Sequence, residues 1–123
     1  YHRALVNIGE FRAGSQSARI GIGGADGRIL STEEIRDEAI ATSSANGFTF
    51  ADGASHIINP LGDGKPQWAG VTVIAADAAW ADALSTALVL SKGTGLAERL
   101  ADAGAVKSVL FEDFSGRLIR IKA

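Results

Sequence analysis

Cysteine is absent from this 123-residue chain, which excludes disulfides, zinc–thiolate sites and thiol chemistry and leaves the redox compartment unreported. Methionine is absent too, and the chain opens Tyr1-His2-Arg3, so it reads as a processed chain, a fragment or the ordered part of something longer. No apolar run approaches the roughly 20 residues that a membrane span needs, and no stretch has the pattern of a signal peptide. The net charge of −2 and the lack of any basic run argue against nucleic acid as a partner. Histidine is scarce: His2 sits at the very start of the chain, and His56 is the other.

What is present is the material of one globular domain, with 46% hydrophobic residues and 15 glycines to make turns. The chain is organised around Val71 to Ser91. Val71, Val73 and Ile74 are β-branched and suit a strand buried on both faces. Asp77 then stands as the N-cap of an apolar helix rich in Ala and Leu. At about 100° per residue, Leu84 and Leu88 share one face of that helix while Asp82 and Thr86 share the other. A carboxylate and a hydroxyl one turn apart suit a hard cation such as magnesium, which takes oxygen ligands. The same pair also suits a surface ion pair and a threonine back-bonded to the preceding turn.

The rest of the chain reads as strands and turns. Residues 3–8 and 18–22 are strands, separated by a loop at 14–17, and the glycine-rich 23–27 is a turn. Ser31-Thr32-Glu33-Glu34 has the pattern of a capping box, although the residues after it carry no clear helical stripe. Residues 42–47 read as a polar loop, 48–50 as a short extended piece, and 61–66 as a flexible loop. Gly93 is expected as the C′ residue of the first helix. Thr94 is expected to cap a second helix that stops at Gly104. Residues 106–111 and 116–121 form a closing hairpin with 114–116 at its tip. The expected class is α+β, a mixed or antiparallel sheet with two adjacent helices.

Few other residues carry chemistry. His56, between two loops, has the imidazole suited to proton transfer near neutral pH, and equally suits a histidine bonded to a loop carbonyl. Thr42 and Ser43 offer hydroxyls and N–H groups to a phosphate. Asn7 and Glu10 flank a turn from which they can hydrogen-bond a ring or ribose. The Gly23-Gly24 loop lacks the spacing of a dinucleotide fingerprint.

Four segments in this order resemble one family: Leu5-Val6-Asn7-Ile8-Gly9-Glu10, Ala41-Thr42-Ser43, His56-Ile57-Ile58-Asn59-Pro60, and Val71-Thr72-Val73 running on to Ala81-Asp82-Ala83-Leu84-Ser85-Thr86-Ala87. They resemble the ApbE family of FAD- and magnesium-dependent flavin transferases, once described as thiamine-biosynthesis lipoproteins. The resemblance implies transfer of FMN from FAD to a threonine of a target protein, with release of AMP. It implies Asp82 and Thr86 as Mg2+ ligands, His56 as base on the acceptor hydroxyl, and Thr42, Ser43, Asn7 and Glu10 as contacts to the flavin nucleotide. It further implies that residues 1–123 are the C-terminal portion of a longer protein whose N-terminal half completes the site. Family habit favours the cell envelope or periplasm, with the cytoplasm as the alternative.

Overall fold

A computed structural model describes residues 2–7, 9–47, 49–62 and 64–123. Ile8, Phe48 and Asp63, which the sequence puts in a strand, an extended piece and a loop, lie outside the described residues, as does Tyr1.

The centre is as the sequence demands. Strand β6 (Gly70–Ala75) is buried at every residue, and it runs between β5 (Ala39–Ser44) and β7 (Ser108–Glu112). With β1 (Leu5–Asn7), β2 (Phe11–Ala13) and β8 (Leu118–Lys122) these make a six-stranded sheet in the order β1-β2-β5-β6-β7-β8, every pairing antiparallel. Strands β3 (Ala18–Gly23) and β4 (Ile29–Ile35) form a separate two-stranded ribbon. Helices α1 (Ala78–Val89) and α2 (Gly95–Asp102) lie between β6 and β7 in the chain. The α+β class with an antiparallel sheet and two adjacent helices is therefore present.

Side chains alternate across β6, which gives the sheet two cores. Val71, Val73 and Ala75 join Val109 and Phe111 beneath Ala81, Leu88 and Val89 of α1 and Ala97 and Ala101 of α2. Ile74, with Ile40 and Leu110, meets Ile20, Ile22 and Ile35 of the ribbon on the opposite side. Trp68 closes the helical side against Phe111, with ring centroids 4.7 Å apart.

Several local readings are corrected. Ser31 to Glu34 is not a capping box but part of β4, which pairs with β3 from Ile35 back to Ile29. Its inward residues repeat every second position, the period of a strand, and Ser31 bonds Glu33 along the strand and not a helix N–H. Thr42 to Ser44 is not a loop, because β5 stays hydrogen-bonded to β6 through Ser44. Polar residues extend here because their neighbour strand is the apolar centre of the sheet. Strand β2, three residues long, is too short to carry a periodic pattern in the sequence. Helix α1 ends at Val89, earlier than Gly93 requires, although Gly93 does take a left-handed φ of 66° in the turn that follows. Thr94 stands at the start of α2, but its hydroxyl donates to Glu98 and makes no cap bond. Gly104, at φ 70°, does end α2: its N–H reaches the Ala101 carbonyl and that of Ala105 reaches Leu100. The closing hairpin turns at 114–116 as expected, with the Asp113 carboxylate accepting the N–H groups of Ser115 and Arg117. No helix among the described residues is long and apolar enough to cross a membrane.

Candidate functional site

Helix α1 starts where the sequence places it, with the Asp77 carboxylate accepting the Trp80 N–H at 3.0 Å. That start fixes the rotation of the helix. Ala81, Ser85, Leu88 and Val89 turn into the core, and Asp82 and Thr86 turn outward, both exposed. The helix is thus less enclosed than its composition suggests, since Trp80 on the outer side is 48% exposed.

Strand β5 runs beneath this helix. Its residues alternate, so Ser43 faces α1 while Thr42 faces the ribbon side, where its hydroxyl meets that of Thr72 at 2.8 Å. Ser43 is nearly buried. Its hydroxyl lies 2.8 Å from that of Ser85 and 3.1 Å from that of Thr86. Among the described residues β2 pairs with Ala39 and Ile40 of β5, and past Ile40 that edge has no neighbouring strand. Antiparallel alternation turns the backbone groups of Thr42 and Ser44 toward this edge and those of Ser43 toward β6, and the Ser44 carbonyl accepts the Gly47 N–H at 3.3 Å.

His56 is presented from the excursion between β5 and β6. On one side of it, the Ser55 hydroxyl donates to the Ala45 carbonyl at 2.8 Å. On the other, Ile57 is buried in the helical core, and its N–H donates to the Ser55 hydroxyl. With both neighbours held, the exposed imidazole is carried beside Gly47 and Ser44.

These pieces converge on one open groove of about 640 Å3, within the range of small-molecule sites. Thr42, Ser43, His56, Asp82 and Thr86 all line it. The structure thus unites five of the residues the sequence singled out. Asn7 and Glu10 do not line it. They belong to the β1–β2 turn, where the Asn7 side chain accepts the Gly9 N–H at 3.3 Å. Gly9 of that turn and Phe11 of β2 border a smaller cavity on the ribbon side, which Thr42 also lines. Ser85 lies in the Ala81 to Ala87 motif, but nothing in the sequence assigns it a role. The trace it left in the sequence is a lone hydroxyl on the helix stripe formed by Ala81 and Leu88.

The donor set is made of oxygens. Among the described residues the Asp82 carboxylate has no ion pair or hydrogen bond, and Thr86 bonds Ser43 instead of its own preceding turn. Among the described residues no group of three or more His, Cys, Asp or Glu converges to enclose a metal by protein alone. One carboxylate and one hydroxyl beside an open groove fit a hard cation that takes its other ligands from water and a phosphate-bearing ligand. They do not fit a soft transition metal.

Residues 1–108 match the ApbE family. Among solved structures, the fold is similar to that of the ApbE protein from Thermotoga maritima, with a TM-score of 0.80 and 25% identity over 95% of this chain. It is similar to the apo form of the Pseudomonas stutzeri flavinyl transferase ApbE, with a TM-score of 0.67 and 27% identity over 96% of this chain. The Vibrio cholerae flavin transferase ApbE gives 0.60 and 27% over 97%. The chain spans 42%, 42% and 41% of the lengths of these three proteins. No curated protein matches the chain.

Proposed function

The chain belongs to the ApbE family, and from that premise we propose that it is the C-terminal portion of a magnesium-dependent flavin transferase. The reaction moves FMN from FAD to a threonine of a target protein and releases AMP. Two of the solved relatives are named as flavin or flavinyl transferases, which supports the reaction class. The observation that carries the assignment to this chain is the groove lined together by Asp82, whose carboxylate is unpaired among the described residues, by His56 and by Thr86.

In this reading Asp82 and Thr86 hold Mg2+, which when bound offsets the charge of the pyrophosphate and of the departing AMP. His56 takes the proton of the acceptor threonine as its oxygen attacks the FMN phosphorus. The bond that breaks joins this phosphorus to the bridging oxygen, and that oxygen leaves with AMP. The open edge of β5 hydrogen-bonds the nucleotide through the backbone of Thr42, while Ser43, its backbone paired with β6 and its hydroxyl engaged, lines the nucleotide site. Asn7 and Glu10 contact the flavin ring or ribose from the neighbouring turn. The remainder of the FAD site comes from an N-terminal half supplied by the same protein.

The test is to incubate the natural protein carrying this chain with FAD, Mg2+ and a threonine-bearing target protein. Covalent flavin on the target and stoichiometric AMP are expected, both abolished by a magnesium chelator. FAD cleavage to FMN and AMP without labelling of the target would make the protein an FAD hydrolase. No FAD binding at all would make it an interaction domain.

A further inference from the structure

We infer that Ser43 and Ser85 are positioning residues, which aim the lone pairs of Thr86 into the groove through a one-way chain of hydrogen bonds. The inference rests on the reading of Asp82 and Thr86 as cation ligands and adds how the hydroxyl is made a ligand.

A serine or threonine hydroxyl has one proton to donate and lone pairs to accept with. The Ser85 proton is committed, since its hydroxyl donates to the Asp82 carbonyl one turn back at 2.9 Å. The contact between Ser85 and Ser43 at 2.8 Å then needs the proton of Ser43. With that proton spent, the 3.1 Å contact between Ser43 and Thr86 needs the proton of Thr86. The direction is therefore set from end to end: Thr86 to Ser43, Ser43 to Ser85, Ser85 to the Asp82 carbonyl. Ser85 is fully buried and Ser43 nearly so, which keeps water from offering either a competing partner. The hydroxyl of the exposed Thr86 is left with its proton turned into the protein and, among the described residues, no donor on its lone pairs. A hydroxyl in that state is a ligand for a cation and a poor donor to a phosphate. The chain ends on the main-chain carbonyl of Asp82, within the same helical turn as Thr86.

The experiment measures Mn2+ affinity, by the electron paramagnetic resonance of the free ion, for the natural protein carrying this chain with FAD present. Ser43→Ala and Ser85→Ala are each expected to weaken Mn2+ binding by about 10–100-fold, the usual effect of losing a group that orients a metal ligand. Ser43→Thr, which keeps the hydroxyl on a strand, is expected to restore it. The double alanine variant is expected to be no worse than either single one, because one break already frees the direction of the chain. Ser85 is fully buried, so Ser43→Ala carries the same prediction from the strand side should Ser85→Ala fold poorly. Unchanged Mn2+ affinity in Ser43→Ala, with a large loss in Thr86→Val, would overturn the chain and leave the cation site standing. Unchanged affinity in both Asp82→Ala and Thr86→Val would overturn the cation site and the chain together.

Discussion

Glu33 and Arg120, 87 residues apart, meet in a two-point ion pair, Nη1 to Oε2 at 2.9 Å and Nη2 to Oε1 at 2.5 Å. The pair ties the ribbon to the edge strand β8, and Ser31 joins it as a third partner. The hydrogen bonds from Arg120 are the main cause holding the Glu33 carboxyl below its ordinary value of 4.5. Between that value and the lower folded one, the unfolded chain binds more protons, so stability rises with pH there. The contribution is complete above the ordinary value and is lost as pH falls through the folded one. Because Arg120 is 30% exposed at its side chain, solvent screens the pair. We expect Arg120→Gln to cost about 1 kcal/mol at neutral pH. Urea unfolding at neutral and at acid pH checks this: the gap between the two proteins should close in acid, and an equal gap at both would refute the pairing energy.

Asp82→Ala is expected to abolish magnesium-dependent transfer while leaving the fold intact. The carboxylate is exposed and bonded to nothing among the described residues, so its loss should change stability by no more than about 0.5 kcal/mol. Isothermal titration with Mg2+ in the presence of FAD, beside a thermal melt, reads both quantities. Unchanged magnesium affinity would remove Asp82 from the site.

His56→Asn is expected to slow transfer by about 10²–10⁴-fold, the range for losing one general base. FAD affinity should hardly change, since the imidazole acts on the acceptor. The fall in rate at low pH should disappear in the variant. A transfer-rate profile against pH for both proteins decides the matter. If the acid limb survives the substitution, His56 is not the base and serves instead to hold its loop.

Phe111→Ala is expected to cost about 3–5 kcal/mol, as for other large core aromatics. Phe111 is fully buried on β7 and packs against the Trp68 ring, so its truncation leaves a cavity beneath that ring. Loss of that much is a large share of a small domain's stability. A denaturant midpoint that barely moves would show that Trp68 repacks over the gap.

Sequence alone determined the parts of this protein whose cause is local. The β-branched run at Val71 to Ile74 forces a buried strand, Asp77 starts α1 at one residue, and Gly104 and Gly116 take the left-handed turns that end α2 and close the last hairpin. Once Asp77 sets the start, helical periodicity alone puts Asp82 and Thr86 on one face. Tertiary structure decided what depends on partners far along the chain. Ser31 to Glu34 carries the local mark of a helix start, yet pairing with β3 and the reach of Arg120 make it a strand. Thr42 to Ser44 is polar enough for a loop, yet β6 holds it extended, and among the described residues no strand covers its other edge. The direction of the hydroxyl chain through Ser43 and Ser85 is further still from local control. It exists only because packing brings strand and helix within hydrogen-bond distance and shuts out the water that would let each hydroxyl turn freely.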